Sequence, residues 1–179
     1  AVLTRDDLPS HSADAIGLVD EPDLQRTMPL QWSPADGHLA IVGSPGSGVT
    51  SALLTLCGTT LTTRPDTDVY VIDARGDTRW DAVAAHSNCV AVVRSDENER
   101  LLRLLHRLQA HVHEQRRDVR NIVVIVDGLD ALRRSLDDLN TASECEALEH
   151  VLAAADAGTI TIVAGAEVAA ALPTAFLAR

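Results

Sequence analysis

Short apolar runs alternate with longer amphipathic stretches along most of this chain. Residues 38–42 (HLAIV), 68–73 (DVYVID), 90–94 (VAVVR), 121–127 (NIVVIVD) and 159–163 (TITIV) are rich in β-branched residues and too short for helices. Runs that are apolar at successive rather than alternate positions belong to strands covered on both faces. Between them, residues 50–61 carry Leu53, Leu54, Leu56 and Leu61 in a plausible helix. Residues 96 to about 115 place Leu101, Leu104, Leu105, Leu108 and Val112 on one face, with Asp96 as the expected cap. Residues 135–156 read as helical in two pieces around Asn140. Alternating strands and helices predict an α/β three-layer fold with a mainly parallel central sheet and right-handed crossovers. In that sheet, 38–42 is expected at the centre, flanked by 121–127 and 159–163.

The first turn after a strand carries the clearest chemistry. Gly43, Ser44, Pro45, Gly46, Ser47, Gly48, Val49 and Thr50 match the phosphate-loop pattern G-x-x-x-x-G-K-[ST] at seven of eight places. Glycines there let successive backbone N–H groups turn inward around an anion, and the helix that follows adds the positive end of its dipole. These eight residues and Ser51 are the candidate nucleotide-binding set, with ATP the expected ligand. Thr50 is placed to offer its hydroxyl to Mg2+. About 80 residues downstream, the 121–127 strand ends in Asp127, which has the Walker B form and would hold the metal's water shell opposite Thr50. A Gly-rich turn that binds nothing would account for the loop alone; the paired Asp127 strand favours nucleotide.

Composition sharpens this picture. All 15 basic residues are arginine, so no lysine anywhere can replace the one missing at Val49. Loss of a charge-assisted hydrogen bond, about 1.5–3 kcal/mol, predicts ATP binding weakened by ~10–100-fold. The cost in the transition state is larger, because charge builds up there. Gly128 follows Asp127 where many such ATPases carry a catalytic glutamate. Asp130 is expected to cap the next helix and point elsewhere, and Ala164, Gly165 and Ala166 after the last strand offer no side chain to sense a γ-phosphate. An arginine could supply charge, although its planar fork copies a point ammonium poorly. The net charge of −11 argues against a DNA surface. Aromatic residues are only 2% of the chain, so Leu, Val, Ile and Ala must fill the core. Cys57, Cys89 and Cys145 form no C-x-x-C pair and read as isolated buried thiols of a reducing compartment. Asp156, Gly158, Gly165 and Glu167 interrupt the most apolar stretch, 151–173, which rules out a membrane span there.

Residues 1–37, with Pro9, Pro22, Pro29 and Pro34, read as an extended lead-in with little structure of its own. Ile16, Leu18, Val19, Leu30 and Trp32 are too apolar for a solvated linker, so it is expected to pack on the core formed by residues 38–179. The chain stops soon after its last strand, and the core is expected to be incomplete at that end.

These residues resemble the FtsK/SpoIIIE family, and within it the tandem ATPase domains of type VII secretion motors of the EccC kind. The resemblance rests on the lead-in motif Ala15-Ile16-Gly17-Leu18-Val19-Asp20-Glu21-Pro22 with Gln25, Arg26, Pro29 and Leu30. It extends to Asp127-Gly128-Leu129-Asp130-Ala131-Leu132 and to the block 73–107 with Trp80. It implies a second or third domain of such a motor, with a degraded ATP and Mg2+ site and a regulatory or substrate-recognition role. Its partners would be neighbouring ATPase domains and secreted helical-hairpin proteins, at the cytoplasmic side of a membrane-anchored complex. A hydrolytically active ATPase and an FtsK-type DNA translocase are the alternatives.

Other groups are less specific. His111 and His113, two apart on a helix, face different ways and lack the spacing of a zinc pair. Arg116, Arg117 and Arg120, and likewise Arg133 and Arg134, read as helix-end charges ahead of an arginine finger. Arg75, after the second strand, is a candidate for contacting a partner.

Overall fold

The computed structural model describes residues 15–114, 120–138, 142–154, 160–173 and 176. Strands β1 (Ala15–Glu21) and β2 (Arg26–Gln31) form an antiparallel hairpin. Then follow β3 (Leu39–Val42), α1 (Val49–Thr63), β4 (Thr67–Asp73), α2 (Trp80–Val83) and β5 (Cys89–Arg94). The second half contains α3 (Asn98–Glu114), β6 (Asn121–Asp127), α4 (Leu129–Asp138), α5 (Ala142–Ala154) and β7 (Ile160–Ala166).

Strands β3 to β7 form one five-stranded parallel sheet in the order β3-β7-β6-β4-β5. The pleat sends alternate side chains to opposite faces. Val69 and Val71 of β4, Val123 and Ile125 of β6 and Val163 of β7 meet Leu53, Leu56, Cys57 and Leu61 of α1 and Trp80 of α2. The intervening residues, Tyr70, Ile72, Ile122, Val124, Val126, Ile160, Ile162 and Ala164, meet the leucines of α3, α4 and α5 on the other side. Both faces are therefore covered, which is the three-layer arrangement that continuous apolar strands require. Each fully buried leucine or valine contributes roughly 1.5–3 kcal/mol, and these two clusters hold the sheet.

The strand order corrects one expectation. β3 lies at the edge of the described sheet and pairs only with β7, whereas β6 is central, between β7 and β4. Apolar spacing reveals which face a residue uses but says nothing of which strand is next to it. Burial agrees with the order: β3 is only partly buried and Val42 is 44% exposed, while six of the seven β6 residues are buried.

The lead-in is also more structured than expected, since a hairpin occupies 15–31. Ile16 and Trp32 pack against the α1 side of the core, and the Trp32 indole donates to the Gly37 carbonyl at 3.2 Å. Val19 and Leu30, expected to pack with them, are exposed. Helix α4 starts at Leu129 rather than Ser135, and α3 starts at Asn98. Beside that start it is Glu97, not Asp96, whose carboxylate accepts the Arg94 N–H and pairs with Arg100. β7 extends to Ala166, while Thr159, Asn140 and Asp156 lie outside the described residues. Only Cys57 of the three cysteines is buried, and that burial pushes its thiol up to about 12. Among the described residues, no helix is long and apolar enough to cross a membrane.

Candidate functional site

In a parallel sheet the loops after the strands all leave from one edge, so those after β3, β4, β6 and β7 converge. The Gly43 N–H donates to the Ala166 carbonyl at 3.0 Å, which fixes the start of the phosphate loop to the end of β7. Ser47 N–H closes a turn onto the Ser44 carbonyl at 3.0 Å, and a Cβ on Gly43 would collide with the Ser47 hydroxyl. Gly46 and Gly48 have φ of 81° and 95°, the left-handed region that only glycine enters without strain. No heavy atom lies within 4 Å of where their Cβ atoms would be, so the loop presents open backbone. Gly48 precedes α1 without a side-chain cap, which leaves the first amides of a 15-residue helix available to an anion.

Val49 sits in the lysine's place and turns inward. Its two methyls lie 2.8 Å and 3.1 Å from ideal Cβ positions on Gly165 and Gly43, so these glycines make the hollow that receives it. Thr50, next along, donates its hydroxyl to Asp127 Oδ1 at 3.1 Å. The other carboxylate oxygen, Oδ2, accepts the Trp80 indole N–H at 3.0 Å, and both Asp127 and Trp80 are fully buried. The two expected metal-site residues are thus brought together, although β7 rather than β3 is the neighbour of β6.

A second buried acid stands beside Asp127. Asp73 ends β4 in register with it, accepting the N–H groups of Arg75 and Gly76 on Oδ1 at 3.0 and 2.8 Å. Its Oδ2 is buried and makes no hydrogen bond among the described residues, with Arg94 Nε 3.8 Å away. Burial pushes the Asp73 carboxyl above its ordinary value, and the Asp127 charge adds to this, against the two N–H groups and Arg94.

The loop after β4 then crosses the mouth of the site. Arg75 bonds Glu167 at 2.6 Å, lies 3.6 Å from Asp130 and runs over Gly128, where its Cγ and Nε are 3.0 Å from an ideal Cβ. Gly128 itself has φ of 87°, so a glutamate there would strain the backbone and require Arg75 to shift. Arg79 donates to Asp77 through Nε and Nη2, and through Nη1 to the Ser51 hydroxyl at 3.0 Å. Together the phosphate loop, Arg75 and Arg79 enclose a cavity of about 350 Å³. All nine candidate residues lie together, and eight line the cavity; Ser47 supports the loop from outside it.

Several sequence expectations change here. Arg75 is held by acids of its own chain, Glu167 at 2.6 Å and Asp130 at 3.6 Å. Asp130 is in the first turn of α4 and accepts the Glu167 N–H at 3.1 Å while pairing with Arg134 at 3.1 Å. Ala164, Gly165 and Ala166 belong to β7, and the residue after them, Glu167, reaches the site through Arg75. Arg133 bonds Glu149 and the Ala171 carbonyl, both at 2.6 Å, and Arg120 bonds Asp68 at 2.9 Å. Arg116 and Arg117 lie outside the described residues, as does the side chain of His113. Arg79 and Trp80 also belong to the site, and no sequence motif marks them as such. Their signal is position alone: both follow the C-terminal end of β4, the edge at which ligands of such sheets bind.

The profile of the AAA domain family matches residues 34–170. No curated protein matches the chain in sequence. Among solved structures it is similar to Thermomonospora curvata EccC (ATPases 2 and 3) in complex with a signal sequence peptide, with a TM-score of 0.78 and 17% identity over 93% of this chain and 35% of that one. It is similar also to EssC (ATPases 2 and 3) from Geobacillus thermodenitrificans, with a TM-score of 0.73 and 17% identity over 96% of this chain and 37% of that one. The cytoplasmic domain of the Thermomonospora curvata type VII secretion ATPase EccC gives a TM-score of 0.76 and 18% identity, with 93% of this chain and 22% of that one covered. The chain thus spans between a fifth and two-fifths of these solved chains, and the fold is that of their ATPase domains.

Proposed function

We propose, for a chain that belongs to the AAA domain family, a nucleotide-binding module that holds ATP and hydrolyses it slowly. One observation carries this reading: an open phosphate cradle and a paired Thr50 and Asp127 stand beside Val49 and Gly128, which supply neither charge nor base. The Gly46–Thr50 backbone binds the phosphates. A hydroxyl and a carboxylate are the hard oxygen donors that Mg2+ prefers, so Thr50 and Asp127 fit the metal and would hold it or its water shell. When bound, Mg2+ neutralises part of the phosphate charge. Trp80 orients Asp127 for this by holding its second oxygen. Gly128, at the place of the glutamate, has no side chain to orient an attacking water.

Likeness to EccC and EssC supports placing the module in a type VII protein secretion motor, as a regulatory or substrate-recognition domain beside other ATPase domains. In that setting it acts at the cytoplasmic side of a membrane complex, and secreted helical-hairpin proteins are the partners to test. A hydrolytically active ATPase is the second reading, favoured by the two arginines on the cavity wall. A DNA translocase of the same fold is disfavoured by the net charge of −11.

The test is titration of ATP and ADP, with and without Mg2+, with phosphate release followed on the same protein. Binding of one equivalent with release well below about 1 per second, the low end of ordinary turnover, is expected. Ordinary turnover would favour the second reading, and absence of binding would remove both.

A further inference from the structure

We propose that Arg79 is the counter-charge this site uses in place of the lysine, and that it grips the part of the phosphate chain common to di- and triphosphate. This inference deepens the nucleotide-binding reading and rests on it. Among the described residues, Arg75 and Arg79 are the two cations lining the cavity, and the sequence holds no lysine. They are not equivalent. Arg75 is committed to Glu167 at 2.6 Å, lies 3.6 Å from Asp130 and is folded over Gly128. Arg79 is 53% exposed and reaches in from the cavity mouth.

The way Arg79 is held matters. Asp77 takes Nε and Nη2, at 3.0 and 2.7 Å, which fixes the plane of the guanidinium. The remaining Nη1 then points at the first turn of α1, where its acceptor is the neutral Ser51 hydroxyl at 3.0 Å. An anionic phosphate oxygen is a stronger acceptor than a hydroxyl, so a phosphate reaching this turn takes over that bond. A planar fork already oriented by a carboxylate loses little freedom in doing so.

Location selects the phosphate. Ser51 is the residue after Thr50 in the first turn of α1, and Arg79 bonds Ser51, whereas Thr50 bonds Asp127, the pair that would carry the metal and the terminal phosphate. Arg79 is therefore assigned to the inner phosphates, while Arg75, the other arginine on the cavity wall, is engaged by Glu167. The expected consequence is that nucleotide is retained with slow hydrolysis and with little discrimination between ATP and ADP.

The experiment is calorimetric titration of Mg-ADP and Mg-ATP into wild type, Arg79→Ala and Arg79→Lys, with thermal unfolding as the folding control. Arg79→Ala should weaken both ligands by a similar factor, about tenfold to a hundredfold, the range of one lost charge-assisted bond. Arg79→Lys, which keeps charge but loses the fork, should fall between. Unchanged binding of both ligands by Arg79→Ala overturns the assignment while leaving the nucleotide-binding reading intact. Loss confined to ATP overturns it too, since the guanidinium would then sit on the γ-phosphate. If wild type binds neither ligand, the underlying reading falls and this inference with it.

Discussion

The Trp80 indole and the Asp127 carboxylate meet at 3.0 Å in the core, with both residues fully buried. A carboxylate there needs its acceptors satisfied, and Trp80 is one of two side-chain donors to it among the described residues. Trp80→Phe removes the donor and keeps an aromatic, though smaller, ring in this buried place. It should cost about 1–3 kcal/mol and lower the melting temperature by roughly 3–10 °C for a chain of this size. Trp32→Phe, whose lost acceptor is the neutral Gly37 carbonyl, should cost less in the same thermal unfolding experiment. Equal losses would mean that the carboxylate does not depend on Trp80.

Val49→Lys places charge where the family pattern has it. The lysine gives up one methyl branch from the hollow at Gly43 and Gly165, a loss of about 0.8 kcal/mol in stability. ATP binding measured by calorimetry should tighten by about tenfold to a hundredfold. Phosphate release should stay slow. Fast release in this single variant would show that the charge alone had been limiting.

Restoring the glutamate should fail for a structural reason. At Gly128 the left-handed backbone and the Arg75 side chain both oppose any Cβ. Gly128→Glu should destabilise by about 1–3 kcal/mol from backbone strain, and more where Arg75 is displaced. Combined with Val49→Lys it should add little turnover. A double variant that melts like wild type and releases phosphate rapidly contradicts this account of the loop.

How much of this was legible beforehand can be judged at particular residues. β6 was bounded at Asn121 and Asp127 because five consecutive β-branched residues and a terminal acid leave little choice. The phosphate loop was legible because its glycines meet backbone requirements that other residues cannot. The edge position of β3 was not, since strand adjacency is decided by crossovers and not by the apolar pattern. Trp80 was invisible as a site residue because α2 is only four residues long and has no periodicity to read. The Val49–Gly165 fit was hidden for a different reason: the two are 116 positions apart, and the match of a branched side chain to a missing Cβ exists only once β7 lies under the loop.

Asp73 makes stability depend on pH in a direction set by its burial. Its folded carboxyl titrates above its ordinary value, so the unfolded chain ionises it more readily. Its contribution to stability therefore declines as pH rises from about 4 through the folded value. Asp73→Asn removes that titration while keeping an oxygen for the Arg75 and Gly76 N–H groups. In urea unfolding, wild type should compare more favourably with the variant at pH 4 than at pH 7. A comparison that moves the other way would place the Asp73 carboxyl below its ordinary value.

The most direct test of the central claim is to follow backbone amide resonances of 15N-labelled protein during titration with Mg-ATP. The account predicts saturable shifts concentrated at Gly46, Gly48, Val49 and Thr50, because their N–H groups form the cradle. Saturable binding that leaves those four amides unmoved while others shift would contradict it.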